Sequence, residues 1–119
     1  MPHLIVEYSA NLSGYPEAET LAELNAAVCS HREVADEADL KSRIVRVERY
    51  EVGTAPAQRG FVHAQLRLLS GRTPEAKQEL SERVAQVLRQ RTPRPAGVMV
   101  QLSVEIVDMD RPSYVKERL

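Results

Sequence analysis

The segment Ser13-Gly14-Tyr15-Pro16-Glu17-Ala18 returns, with one residue inserted, as Ser70-Gly71-Arg72-Thr73-Pro74-Glu75-Ala76. Each copy stands between a strand-like run and a helix-like run, so the chain reads as one unit used twice. His3 to Tyr8 is short and apolar enough for a strand, and Pro16 to Ser30 carries Leu21, Leu24 and Val28 at helical spacing. Leu40 to Val52 is rich in β-branched residues and reads as a second strand, with Gly53 to Gly60 as the turn that ends the first half. Phe61 to Leu69 alternates: Val62, Ala64, Leu66 and Leu68 share one face, and His63, Gln65 and Arg67 the other. Thr73 is a good N-cap, Pro74 suits the first helical position, and Ala76, Leu80, Val84, Val87 and Leu88 form a stripe behind them. Thr92 to Gly97 stops that helix, and Val98 to Ile106 alternates as a fourth strand.

Strand, helix, strand, repeated once, restricts the topology severely. Two βαβ units with right-handed crossovers give an α/β (α+β) fold, a four-stranded mixed sheet with both helices on one face and a pseudo-twofold axis between the halves. The halves are expected at about residues 2–53 and 60–108 of a single 119-residue domain. The tail, residues 109–119, is expected to pack on a neighbour or stay loose. The sheet face opposite the helices is left bare. On strand four that face carries Met99, Gln101, Ser103, Glu105 and Val107, too mixed for core and too apolar for plain surface. A symmetric oligomer that covers it follows.

Charge narrows the function classes. With 16 Lys and Arg against 17 Asp and Glu, the net charge of −1 offers no global field for nucleic acid or an anionic membrane. No window is apolar for long enough to span a bilayer. The lone Cys29 lies among helical apolar neighbours and reads as buried filler, which points to the cytoplasm. His3, His31 and His63 have no metal-ligand spacing, so neither a metal nor another cofactor is expected.

The residue whose chemistry depends most on position is Pro2. Removal of Met1 would turn its nitrogen from an amide into a secondary amine, which can act as a general base. With strands one and three antiparallel, the end of strand three approaches the start of strand one and brings Arg72 toward Pro2. Tyr15 occupies the equivalent place in the first copy, so the turn itself does not demand a cation. Arg72 also precedes a helix N-terminus, and a carboxylate there would receive charge-assisted hydrogen bonds. Lys41 and Arg43 open strand two on one shared face and offer a second cation for a dicarboxylate or keto-acid. Each feature has a plain alternative: an ordinary Met-Pro start, an exposed loop arginine, and a charged strand edge that discourages pairing. Tyr50 and Phe61 are candidates for an apolar wall or for core.

Pro2-His3-Leu4-Ile5-Val6-Glu7-Tyr8-Ser9-Ala10-Asn11-Leu12, the Ser42-Arg43 strand opening, Phe61-Val62-His63 and Gly71-Arg72-Thr73 together resemble the 5-carboxymethyl-2-hydroxymuconate delta-isomerases of the tautomerase superfamily, over the chain to about Val107. The resemblance implies a homotrimer of β-α-β-β-α-β subunits without a cofactor. It implies a substrate that is an unsaturated di- or tricarboxylic acid from homoprotocatechuate degradation, and an amino-terminal proline that shuttles a proton between its carbons. Pro2 would be base and then acid, and Arg72 would hold a carboxylate and steady the dienolate. Arg43, or Lys41 if the match is shifted by two residues, would complete the binding set, with Arg43 favoured. Other activities on the same site, such as those of a 4-oxalocrotonate-type tautomerase, a hydratase or a dehalogenase, stay open. So does a non-catalytic trimeric scaffold, if Met1 is retained.

Overall fold

A computed structural model describes all residues from Met1 to Leu119. Strand β1 (His3–Ser9) leads to helix α1 (Glu17–Cys29) and strand β2 (Lys41–Val47); β3 (Arg59–Leu69), α2 (Pro74–Arg91) and β4 (Met99–Met109) repeat the order. Short 3-10 turns at Glu37–Asp39 and Arg111–Ser113 flank β2 and follow β4. The sheet order is β2-β1-β3-β4, with β1 parallel to β2, β3 parallel to β4, and the central β1–β3 pair antiparallel. The mixed four-stranded sheet and its pseudo-twofold axis are those the duplicated sequence predicts.

Alternation sets the two faces. Leu4 and Val6 of β1 and Val62, Ala64 and Leu66 of β3 are fully buried, and they join Leu24, Val28, Leu80, Val84 and Leu88 of the two helices in one core. Helix α2 begins where its capping residues say: the Thr73 hydroxyl accepts the Ala76 N–H at 3.1 Å, Pro74 is the first helical residue, and Arg89 and Arg91 sit in the last turn, where cations complement the dipole. Helix α1 has no side-chain cap. Its entry is fixed instead by the Tyr8 hydroxyl on Glu17 Oε2 at 2.5 Å and by Tyr15, which stacks on Tyr8 and bonds Thr92 across the core at 2.8 Å.

Three boundaries differ from the sequence expectation. Strand β2 stops at Val47 rather than Val52, because β1 offers its last pairing residue at Ser9, opposite Val47, and residues beyond have no ladder to join. β4 runs on to Met109, because β3 continues to Leu69 and pairs with it there. The tail is neither loose nor turned outward. It folds back along its own chain, with Lys116 and Arg118 on Asp39 and Arg118 on Asp36 at 2.9 Å.

The face away from the helices is uncovered in the single chain. His3, Ile5 and Glu7, Lys41, Arg43 and Val45, and the odd-numbered residues of β3 and β4 point there, and Val45 and Met99 are each close to half exposed.

Candidate active site

The sheet end at which β1 starts gathers charge from four segments. Pro2 is buried, and its carbonyl accepts the Lys41 N–H at 3.1 Å, the bond that locks the start of β1 to the start of β2. The Met1 amine donates to the Asp39 carbonyl at 2.9 Å, and the Lys41 ammonium donates to the same oxygen. Two cationic nitrogens thus share one acceptor. The Asp39 carboxylate, 3.9 Å from the amine, is drawn toward the tail by Lys116 and Arg118, whose hydrogen bonds hold its pKa down to about 2. The amine is left with little to favour its charged form. Burial first, then the hydrogen bond and charge of Lys41, push its pKa from 8.0 down to about 5, against the weaker pull of Asp39.

Arg72 lies at the same sheet end but faces inward. Gly71 takes a φ of 115°, a turn an L side chain rarely adopts, and this drops the next residue under the end of β3. The Arg72 guanidinium donates to the Leu69 carbonyl at 2.7 Å and to the Glu33 carbonyl at 3.4 Å. Its Nε has no hydrogen-bond acceptor and stands 3.7 Å from the Glu33 carboxylate, with only 13% of the side chain exposed. This is no solvated loop arginine. The Glu33 loop is pinned in turn by His31, a buried ring whose Nδ1 accepts the Glu33 N–H at 3.1 Å and whose Nε2 meets Glu79 at 2.9 Å.

Lys41 and Arg43 point to the same uncovered face, and the structure separates them. The Lys41 ammonium reaches the amino terminus, whereas Arg43 is two residues along the strand and donates to His3 Nδ1 at 3.3 Å. Tyr50 and Phe61 do not wall the amine. They meet edge to face, 6.1 Å apart, at the opposite end of the sheet, where the Phe61 N–H bonds the Ser9 hydroxyl.

Sequence reasoning missed the tail. Tyr114 places its hydroxyl 2.8 Å from His3 Nε2 and 3.4 Å from the Met1 carbonyl. Beside it, His3, Ile5, Arg43, Arg67, Met109 and Tyr114 border an open bay of about 460 Å³. The charge complement of Lys116 and Arg118 to Asp36 and Asp39 is visible in the sequence, but only the fold shows that these segments meet. A larger groove of about 800 Å³ runs between α1 and α2, rimmed by Glu75, Glu79, Glu82 and Arg83, on the outer side of the helix layer and away from the amine.

A half-buried amine poor in protons, with Lys41 beside it and Arg72 at the same sheet end, suits proton transfer on an anionic substrate. The family model for 5-carboxymethyl-2-hydroxymuconate isomerase matches residues 2–118. The crystal structure of a 5-carboxymethyl-2-hydroxymuconate isomerase from Deinococcus radiodurans R1 superposes with a TM-score of 0.86 at 26% identity, covering 99% of this chain and 90% of that one. A 5-carboxymethyl-2-hydroxymuconate delta-isomerase gives a TM-score of 0.65 at 20% identity, with 99% and 88% covered. A fused 4-OT asymmetric trimer gives 0.66 at 16%, with 96% and 91% covered. No curated protein sequence matches the chain. No helix is long and apolar enough to cross a membrane. With the family model running from Pro2 through the tail that closes over it, the chain belongs to the 5-carboxymethyl-2-hydroxymuconate isomerase family and is an isomerase.

Proposed function

We propose that Pro2, freed by removal of Met1, is the proton shuttle of a 5-carboxymethyl-2-hydroxymuconate isomerase acting on unsaturated 2-hydroxy or 2-oxo di- and tricarboxylic acids. The observation that carries this reading is the electrostatics of the amino terminus. The Met1 amine at this sheet end is pushed down to about 5 by burial and by Lys41. The Pro2 nitrogen is one residue, about 3.8 Å of chain, further into the same surroundings. A neutral amine there takes a proton alpha to a carbonyl. The electron pair moves into the carbonyl oxygen to give a dienolate, and the ammonium returns the proton to another carbon of the conjugated system.

Lys41 and Arg72 are the binding cations of this proposal, with Arg43 two residues further along the face that Lys41 shares. The buried Nε–H of Arg72 has no hydrogen-bond acceptor, and Nη1 and Nη2 each donate one hydrogen bond, which leaves donors for a substrate carboxylate that reaches past Glu33. A homotrimer is supported by the uncovered face, with Val45 and Met99 exposed, and by the likeness to the fused 4-OT trimer. In this reading the enzyme acts downstream of aromatic ring cleavage, and a cytoplasmic location is part of the proposal.

Intact mass establishes whether Met1 is gone, and ketonisation of 2-hydroxymuconate or phenylenolpyruvate measures the chemistry. Processed protein is expected to be active, and Pro2→Ala to lose about 10²-fold or more in kcat. Unchanged turnover in Pro2→Ala would overturn the assignment of the base.

A further inference from the structure

The hydrogen bonds behind the amino terminus have a direction that the donor inventory fixes. A guanidinium only donates, so His3 Nδ1, 3.3 Å from Arg43 Nη1, is an acceptor. Burial and the surrounding cations Lys41, Arg43 and Arg67 lower the pKa of His3, which keeps its ring neutral. The single ring proton is then on Nε2, and it is donated to the Tyr114 oxygen at 2.8 Å. That leaves the Tyr114 hydroxyl proton free to point onward. The acceptor it meets, at 3.4 Å, is the Met1 carbonyl oxygen.

This oxygen belongs to the peptide bond whose nitrogen is that of Pro2. It is about 2.3 Å from that nitrogen, so the Tyr114 hydroxyl is within about 6 Å of the proposed base. The Met1 carbonyl is therefore an oxygen held between an amine position and a directed donor. Removing Met1 takes this acceptor away from Tyr114, while the Arg43–His3 and His3–Tyr114 hydrogen bonds involve no atom of Met1. A substrate that offers its alpha carbon to the amine has its carbonyl oxygen two bonds from that carbon, within reach of the space vacated.

We propose that Tyr114 is the hydrogen-bond donor to the carbonyl oxygen of the substrate, and that His3 and Arg43 are positioning residues that aim it. The inference rests on the reading of Pro2 as base. From the ketone, the proton leaves carbon for the Pro2 nitrogen, the C–H electron pair becomes the enolate, and its oxygen accepts the Tyr114 hydrogen bond with no transfer of the tyrosyl proton. From a dienol such as 2-hydroxymuconate, the hydroxyl proton passes to the Pro2 nitrogen, the same enolate oxygen is held by Tyr114, and the ammonium delivers the proton to carbon. A donor in place before charge develops stabilises the transition state more than the ground state. Arg43 thereby serves the reaction from behind His3 and need not touch a carboxylate.

The test compares Tyr114→Phe, Pro2→Ala and the parent enzyme on 2-hydroxymuconate, with inhibition by adipate as a measure of carboxylate binding alone. Tyr114→Phe is expected to lower kcat about 10²-fold and to leave the adipate inhibition constant within about twofold. If Tyr114→Phe turns over like the parent while Pro2→Ala is inactive, the proposal is overturned and the base stands. If Pro2→Ala is as active as the parent, the base itself is wrong, whatever Tyr114 does. Loss of adipate binding together with kcat would make Tyr114 a strap that holds the site, and this also overturns the proposal. His3 gives a second route should Tyr114→Phe fold poorly. The amide of His3→Gln accepts from Arg43 and donates to Tyr114, so it is expected to keep at least tenfold more kcat than His3→Ala. Equal losses would refute the relay.

Discussion

Removing the charge of Lys41 should move the acid limb of the pH profile upward. With Met1 in place, the Lys41 ammonium and the Met1 nitrogen donate to one carbonyl oxygen, that of Asp39, so they are no more than about 6 Å apart, and the Pro2 amine that succeeds it one residue on is taken at the same separation. At that separation Coulomb repulsion is about 3 kcal/mol for an effective dielectric of 20, and about 1 kcal/mol nearer to solvent. Met1 has 31% of its side chain exposed, so this chain end is partly solvated, which places the effect toward the lower figure, or about one pKa unit. The sign follows from the charges: Lys41 disfavours the ammonium, so Lys41→Gln raises the pKa of the amine, and a base that must be neutral is lost to protonation at higher pH. Asp39→Asn should act in the opposite sense, since its carboxylate is the group that supports the ammonium. The assay is kcat/KM for 2-hydroxymuconate from pH 5 to 9, which reports the free enzyme, paired with an NMR titration of the amino-terminal residue. The position of the limb is independent of any loss in amplitude caused by weaker substrate binding. A limb and an NMR midpoint that stay within about 0.3 unit in Lys41→Gln would refute the electrostatic account of the amine.

Arg72→Ala should reduce kcat/KM for dicarboxylates by about 10²-fold and spare a substrate without carboxylates. It also releases the Leu69 and Glu33 carbonyls, so thermal unfolding is expected to show a loss of about 1.5–3 kcal/mol, the worth of hydrogen bonds to a charged group. Equal kinetic losses on both substrates would mean that Arg72 only holds the loop. Leu80→Ala, at a fully buried position between helix and sheet, should cost about 2–5 kcal/mol by urea unfolding, with an unchanged m value. A cost below 1 kcal/mol would contradict the packed core.

The fold was legible where local chemistry and long-range packing ask for the same residue. β3 alternates because one face meets two helices, and α2 starts at Thr73-Pro74 because the cap and the fixed φ of proline both act within one turn. Strand two was read too long because Tyr50 and Val52 carry strand propensity past Val47, while the strand depends on a partner that ends at Ser9. The site was legible as residue types rather than as an assembly. Arg72 stood out against Tyr15 in the duplicated loop, but its partner Glu33 lies 39 residues away and carries no matching signal. Lys41 and Arg43 share a face, so periodicity had no means to separate them; the Asp39 carbonyl and the His3 ring do. Tyr114 was out of reach, since nothing local in a polar tail reveals that it returns to residues 1 and 3.

The duplication divides labour between its copies. An α-amine can exist only where a chain begins, so the second half has none to offer: at the equivalent point, Arg59 follows a loop. The first half lacks the arginine, because its copy of the loop puts Tyr15 into the core against Tyr8 and Thr92. Each half therefore holds one component of the pair, and the antiparallel meeting of β1 with β3 unites them at one end of the sheet. The opposite end, where Tyr15 and Phe61 lie, is an arrested counterpart. On the proposed reading of Pro2 and Arg72, a unit whose symmetry would provide for two sites thus has one per chain.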